Sequence, residues 1–116
     1  MTETGLSLGT PHYMSPEQAT AEKELTNRSD IYSLGCVLLE MLTGQLPFAG
    51  SSARESMQRR LDEPPPDIRA LRPDVPEELA SVLKRAMKID PAERYMSASQ
   101  MADELTSALD LLPVTR

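Results

Sequence analysis

The sequence predicts an all-α protein with a long, irregular N-terminal segment. Several stretches combine helix-capping residues with apolar residues three or four positions apart, which is typical of amphipathic helices. No stretch alternates apolar and polar residues convincingly, as a half-buried strand would. At 116 residues the chain is one small domain at most, and its 40% hydrophobic content is sufficient for a globular core.

Residues 1–28 are predicted to be irregular, because Gly5, Gly9, Pro11 and Pro16 interrupt any helical or strand period. Within this segment, residues 17–24 have room for a helical turn or two.

Residues 29–43 form the strongest predicted helix. Ser29 is a suitable N-cap, and Asp30 places a negative charge at the positive end of the helix dipole. Gly44 is suited to the residue that ends a helix, and Pro47 prevents the helix from resuming. Apolar side chains point in every direction around this helix, so we expect it to be buried and surrounded by other structure.

Three further segments follow. Ser51 or Ser52 is the predicted cap of a helix that runs to about Leu61 and is mixed in polarity, hence exposed. The proline-rich residues 62–75 are expected to be extended. Residues 76–89 are a predicted helix that begins with Pro76. Its apolar stripe consists of Leu79, Val82, Leu83, Ala86 and Met87.

The Asp90-Pro91 pair is expected to end that helix. A last helix is predicted from Ser97 to about Leu112, since Gln100 lies three residues after Ser97 as in a capping box. Its predicted inward side chains are Met101, Leu105, Ala108, Leu109 and Leu112.

Charge and composition exclude several functional classes. With 18 acidic and 12 basic residues, the net charge of −6 argues against a nucleic-acid or anionic-membrane surface. The longest apolar run, residues 34–39, is far shorter than the ~20 residues of a membrane helix. Met1 is not followed by a signal peptide. The single cysteine, Cys36, excludes an internal disulfide and a zinc-thiolate cluster, so we expect a reducing, cytoplasmic location.

The residues alone indicate no catalytic or metal site. His12 is the only histidine, and nothing nearby identifies the carboxylate and nucleophile that a catalytic base requires. Cys36 has apolar neighbours that favour an inert thiol, and Gly5 and Gly9 match no phosphate-binding loop. Four residues are open to two interpretations, as ordinary caps and surface charges or as long-range structural contacts: Thr10, Glu17, Asp30 and Arg94.

Four motifs, in order, resemble a eukaryotic-like serine/threonine protein kinase of the bacterial type. Residues 9–18 (Gly-Thr-Pro-His-Tyr-Met-Ser-Pro-Glu-Gln) resemble the end of its activation segment, with Ser15-Pro16-Glu17 in place of Ala-Pro-Glu. Residues 30–35 (Asp-Ile-Tyr-Ser-Leu-Gly) resemble the start of the family's central buried helix. Residues 44–48 (Gly-Gln-Leu-Pro-Phe) resemble the turn after that helix, and residues 90–95 (Asp-Pro-Ala-Glu-Arg-Tyr) resemble its late Asp-Pro-x-x-Arg element.

This resemblance implies the helical C-terminal lobe of a kinase. It divides the chain into residues 1–28, the end of the activation segment; residues 29–112, the remainder of the lobe; and residues 113–116, a tail. It also implies a structural ion pair between Glu17 and Arg94, an anchor for the catalytic loop at Asp30, and a role for Thr10 in positioning the catalytic aspartate of that loop. The implied shelf for the substrate peptide consists of Gly9, Thr10, Pro11, His12, Tyr13 and Met14, and the implied regulatory phosphorylation sites are Thr2, Thr4 and Ser7.

A complete family member uses ATP and Mg²⁺, held by a glycine-rich loop, a strand lysine, a His-Arg-Asp loop and an Asp-Phe-Gly motif. None of these motifs occurs in the 116 residues, so we expect no catalytic residue, cofactor or metal in this chain and no activity from it alone. The expected partners are a protein substrate or the N-terminal part of a kinase. The alternative is a non-catalytic C-lobe remnant that acts as a protein-binding or regulatory module.

Overall fold

The computed structural model describes residues 13–20, 26–48 and 52–110. Within these ranges every regular element is a helix, which confirms the predicted fold class. The α-helices are α1 (Pro16–Ala19), α2 (Asn27–Thr43), α3 (Ala53–Asp62), α4 (Ile68–Leu71), α5 (Glu77–Ala86) and α6 (Ala98–Leu109). A 3₁₀ turn, Pro91–Glu93, lies between α5 and α6.

Helix α2 begins two residues before its predicted start. Thr26 is the N-cap, and its side chain accepts a hydrogen bond from the backbone N–H of Arg28 at 3.1 Å. The assignment of Ser29 as N-cap is therefore wrong: Ser29 lies inside the first turn and is buried. Gly44 ends the helix as predicted, with a left-handed φ of 74° that glycine adopts without a steric penalty.

Helix α1 is a single turn held by a capping box. The Ser15 hydroxyl accepts from the backbone N–H of Gln18, and the Gln18 side-chain oxygen accepts from the backbone N–H of Ser15 at 2.9 Å. The predicted helical turn within residues 17–24 thus begins earlier, and residues 21–25 lie outside the described ranges.

Of the two predicted candidates for the cap of α3, Ser51 and Ser52, the cap is Ser52, whose side chain accepts from the N–H of Glu55 at 3.1 Å. The prediction that this helix is exposed is wrong for one face, where Ser56 and Arg60 are buried. The Arg60 guanidinium donates to the Ser56 hydroxyl at 2.6 Å and lies 5.5 Å from the centre of the Phe48 ring. The aliphatic part of the Arg60 side chain and its contact with the Phe48 ring allow this arginine to pack in the protein interior.

The proline-rich connection contains a short helix that the sequence did not predict, and the helix after it is shorter than predicted. Residues 62–75 are largely irregular but contain α4, which Asp67 caps. Pro76 is the N-cap of α5 rather than its first helical residue, and the helix ends at Ala86, before the predicted Ile89. The predicted apolar stripe is confirmed: Leu79, Val82, Leu83, Ala86 and Met87 are all buried.

Helix α6 has Ser97 as its N-cap, as predicted, and the Ser97 side chain accepts from the N–H of Gln100. The Gln100 side chain accepts from the N–H of Met96 instead of Ser97, so the reciprocal bond is displaced by one residue. Met101 and Ala108 are buried and Leu105 is half-buried. Leu109 is 45% exposed, contrary to its predicted inward position, and Leu112 lies outside the described residues.

Helices α2, α5 and α6 enclose the larger of two apolar clusters. Gly35 allows α2 to approach α5 closely: a Cβ atom at this position would lie 2.7 Å from Met87 Cγ and 3.2 Å from Ala86 Cβ. The second cluster contains Tyr32, Cys36, Leu39, Phe48 and Met87, with Tyr13 packed against it. The side chains that α2 buries therefore face two separate clusters.

One side of α2 is not packed against any other described part of the chain. Leu34 is 42% exposed and Met41 is 74% exposed, although the apolar sequence of this helix predicts burial on all sides. An all-apolar groove of about 240 Å³ lies beside Met41; it is lined by Leu38, Met41, Leu42, Leu79, Leu105 and Leu109. We call it the α2–α5–α6 groove.

Candidate functional site

A buried ion pair connects the N-terminal segment to the loop before α6. Arg94 Nη1 donates to Glu17 Oε2 at 2.7 Å, and Arg94 Nη2 donates to Glu17 Oε1 at 2.9 Å. The Arg94 side chain is fully buried, and the Glu17 side chain is 7% exposed. This bidentate geometry is the strongest arrangement available to an arginine and a carboxylate. It joins residues 77 positions apart in the sequence.

The remaining donors of Arg94 also have partners. Nε donates to the carbonyl of Lys88 at 2.7 Å, Nη1 to that of Arg28 at 2.9 Å, and Nη2 to that of Ile89 at 3.1 Å. All five N–H donors of the guanidinium are thereby satisfied. The group also lies 4.8 Å from the centre of the Tyr32 ring, a cation–π distance. Arg94 thus ties the start of α2 and the residues after α5 to Glu17.

Glu17 is held in its charged form. Burial raises the pKa of its carboxyl, but the hydrogen bonds from Arg94 and Ser29 outweigh that effect and lower the pKa below the ordinary glutamate value. The Ser29 bond, from Oγ to Glu17 Oε2, is 2.6 Å long. Removal of the carboxylate charge would leave the Arg94 guanidinium buried without a counter-charge.

Tyr13, the first described residue of the predicted shelf, is attached to α2 at two points. Its hydroxyl donates to Glu40 Oε1 at 2.5 Å, and its backbone carbonyl accepts a hydrogen bond from the Ser33 hydroxyl. The bond to Glu40, with burial and the charge of Glu40 adding to it, raises the pKa of the Tyr13 phenol. Met14 follows half-buried, and Ser15 is fully buried at the start of α1.

The other predicted site residues divide into two groups. Asp30 lies exposed in the first turn of α2. Gly9, Thr10, Pro11 and His12 of the shelf, and the predicted phosphorylation sites Thr2, Thr4 and Ser7, lie outside the described residues.

Sequence reasoning missed three α2 residues that hold the N-terminal segment: Ser29, Ser33 and Glu40. Their signal was present, because each is a polar residue in a mainly apolar helix, and Ser33 and Glu40 are seven positions apart on one helical face. The partner of each side chain could not be read from that pattern.

The described residues offer no cluster of metal ligands and no reactive thiol. They contain no group of three or more His, Cys, Asp or Glu side chains that could hold a metal. Cys36 is fully buried, and burial raises the pKa of its thiol to about 11, so it is inert at neutral pH. None of the helices in the described ranges is long and apolar enough to cross a lipid bilayer.

Residues 2–105 match the protein kinase domain family, so the chain belongs to that family. This helical unit, whose N-terminal segment is held by a buried ion pair to the loop before the last helix, is the C-terminal-lobe portion of the protein kinase fold. The resemblance seen in the four motifs is confirmed.

The relatives are bacterial serine/threonine kinases. The chain is similar to the serine/threonine-protein kinase PrkC of Bacillus subtilis (strain 168), with 39% identity over 110 residues that cover 95% of this chain and 17% of the relative. It is 43% identical over 110 residues to PknD of Mycobacterium tuberculosis (strain CDC 1551 / Oshkosh), covering 94% of this chain and 16% of that kinase. It is 41% identical over 105 residues to PknB of Mycolicibacterium smegmatis, covering 90% and 17%. The chain therefore spans only about a sixth of the length of these relatives.

Proposed function

We propose that residues 1–116 are the substrate-side part of the C-terminal lobe of a serine/threonine protein kinase, which transfers a phosphate from ATP to protein serine or threonine. The observation that carries this proposal is the buried Glu17–Arg94 pair. It fastens the segment with the activation-segment motif to the Asp-Pro-x-x-Arg element, the two motifs whose residues are furthest apart in the sequence. A segment that must present a substrate peptide needs such a fixed base.

The individual roles follow from the motifs. Residues 9–14 would form the shelf for the residue that follows the phosphate acceptor, and Thr10 would position the catalytic aspartate. Asp30 would anchor the catalytic loop, and its exposure on α2 leaves the carboxylate accessible to a further segment. Phosphate on Thr2, Thr4 or Ser7 would order the segment through arginine side chains that belong to another part of the kinase.

Kinase activity also requires ATP and Mg²⁺, which the complete members of this family use. The described residues do not fit these groups, since they contain no cluster of metal ligands and the sequence contains no Asp-Phe-Gly or His-Arg-Asp motif. We therefore assign no phosphoryl-transfer step to the residues of this chain. Its partners would be a protein substrate and the N-terminal part of a kinase domain, in the cytoplasm.

The alternative, a free-standing binding or regulatory module, would leave the α2–α5–α6 groove exposed whenever no partner is bound. Monomeric soluble proteins rarely expose contiguous apolar patches larger than a few hundred Å². Leu109 and Met41 are 45% and 74% exposed beside that groove, and no polar side chain lines it. A lobe whose central helix packs against further kinase structure accounts for both observations.

A chimaeric kinase tests the proposal. Residues 2–105 would replace the matching segment of the Mycobacterium tuberculosis kinase PknD, with which this chain shares 43% identity. We expect the chimaera to phosphorylate a threonine peptide that the parent kinase phosphorylates. We expect Arg94→Ala to abolish this activity and Asp74→Asn, which alters an exposed ion pair, to retain it.

The control is the 116-residue chain alone, which we expect to transfer no phosphate from ATP. A folded chimaera without activity would argue for the non-catalytic module. Phosphate transfer by the purified chain, lost on mutation of a residue in that chain, would show that the assignment of its active site elsewhere is wrong.

A further inference from the structure

The hydroxyl of Ser33 makes an unusual contact for a serine in a helix. Serine side chains within helices commonly bond back to a carbonyl three or four residues earlier. Ser33 lies in the middle of α2, half-buried, and its Oγ donates to the carbonyl of Tyr13, 20 residues earlier in the sequence. The contact joins the central helix to the backbone of the N-terminal segment.

Tyr13 is consequently held at both ends. Ser33 holds its backbone carbonyl, and Glu40, seven residues further along the same face of α2, holds its hydroxyl at 2.5 Å. Seven residues correspond to about 10 Å along a helix axis. The Tyr13 side chain therefore runs along α2, with its ring against the cluster that contains Tyr32 and Cys36.

The two hydrogen bonds restrain different parts of Tyr13. A hydroxyl bond to Glu40 restrains the phenol, but rotation about the side-chain torsions would still allow the backbone to move. The Ser33 bond acts on the backbone itself. Two residues later, the N–H of Ser15 donates to Gln18 Oε1 at 2.9 Å within the α1 capping box. The backbone between the Tyr13 carbonyl and the Ser15 amide is thus restrained at both ends.

We propose that Ser33 is a positioning residue for the described end of the substrate shelf, Tyr13 and Met14: through the Tyr13 carbonyl, it sets the place of this backbone relative to α2. This inference rests on the proposed function, because the shelf is meaningful only in a kinase. Ser33 does not contact substrate in this scheme and acts only through Tyr13. Loss of the Ser33 hydroxyl should weaken the binding of the substrate peptide without changing the KM for ATP.

The first test uses the 116-residue chain and does not depend on activity. Hydrogen exchange of a peptic fragment that covers Tyr13–Gln18 would be compared among wild type, Ser33→Ala, Ser33→Thr and Ser99→Ala. Ser99 is an exposed serine on α6 and serves as the matched control. We expect faster exchange in Ser33→Ala alone, since threonine retains the hydroxyl. Unchanged exchange in Ser33→Ala would overturn the inference.

The second test measures steady-state kinetics in the chimaera with PknD. We expect Ser33→Ala to raise the KM for the threonine peptide by about three- to tenfold, the range that one hydrogen bond accounts for. The KM for ATP should stay unchanged, and Ser33→Thr should restore the peptide KM. A variant that merely loses stability would lower the active fraction and leave both KM values as they were, and that result would overturn the inference.

The two proposals fail in different ways. If the unmodified chimaera is folded and inactive, the kinase assignment is wrong, and the exchange experiment still decides whether Ser33 restrains the segment. If the chimaera is active and the peptide KM of Ser33→Ala equals that of the unmodified chimaera, the role of Ser33 is wrong and the kinase assignment stands.

Discussion

Arg94 carries a positive charge on a side chain that is fully buried. Desolvation of an arginine is costly, and only full hydrogen bonding with a counter-charge offsets it. Arg94 has both, with five satisfied donors and the carboxylate of Glu17. The Arg72–Asp74 pair is also bidentate, with contacts of 2.5 and 3.1 Å, but its side chains are 42% and 65% exposed. The two pairs should therefore differ in energy although their geometry is alike.

Isosteric substitutions separate the two cases. We expect Glu17→Gln to lower the free energy of unfolding by about 3–5 kcal/mol, because it leaves Arg94 buried without a counter-charge. Asp74→Asn, the matched exposed change, should cost about 1 kcal/mol or less. Urea denaturation followed by circular dichroism at pH 7 measures both. Equal costs for the two variants would contradict the structural importance of the buried pair.

Acidity provides the control for this prediction. The pKa of Glu17 is lowered in the folded protein, so its contribution to stability is present above the ordinary value of 4.5 and is lost as the pH falls through the folded-state value. Glutamine resembles the protonated acid. The difference in the free energy of unfolding between wild type and Glu17→Gln should consequently become smaller below about pH 4.5.

At the scale of elements, the close contact of α2 and α5 depends on Gly35. Glycine is a poor residue for a helix interior, costing about 1 kcal/mol relative to alanine. At this position the missing side chain leaves room for Met87 and Ala86, both fully buried. The room that this glycine leaves for the two side chains explains its presence in the middle of the helix.

We expect Gly35→Ala to destabilise the protein by about 1–2 kcal/mol, because overpacking outweighs the better helix propensity of alanine. The same substitution in a Met87→Ala background should cost less, since the contact at 2.7 Å no longer exists. Thermal unfolding of the four proteins in this double-mutant cycle provides the coupling energy. If the changes in the free energy of unfolding of the two single variants add up in the double variant, the Met87 side chain is not what excludes a Cβ atom at position 35.

At the scale of the whole molecule, the described residues leave one side of the central helix uncovered. Leu34 and Met41 are exposed on α2, and the groove between α2, α5 and α6 is lined by apolar side chains alone. Uncovered apolar surface of this kind binds hydrophobic dyes and promotes self-association. We therefore expect the isolated chain to bind hydrophobic dye and to self-associate.

Dye binding tests that expectation. We expect the 116-residue chain to bind anilinonaphthalene sulfonate, and Met41→Lys to reduce the fluorescence by placing a charge beside the groove. Met96→Lys is the matched control, because Met96 is also exposed, at 65%, but does not line the groove. Equal fluorescence of the two variants would locate the dye elsewhere.

Local sequence patterns determined most of the helices of this protein. Capping chemistry and apolar spacing act over four or five residues, so Ser97, Gly44 and the stripe of α5 could be assigned without any tertiary information, and the cap of α3 could be narrowed to Ser51 or Ser52. The order of the kinase motifs also lay in the sequence, and it indicated which distant residues, Glu17 and Arg94, form a pair.

Tertiary structure alone decided the start of α2 and the partners of its polar residues. Thr26 and Ser29 are both good N-caps, and Ser29 instead bonds to Glu17, a choice that depends on a residue 12 positions away. The burial of one face of α3 and the exposure of Leu109 and Met41 are likewise decided by tertiary packing. Which side of a helix is covered depends on what packs against it, and a periodic pattern records only that a side chain is apolar.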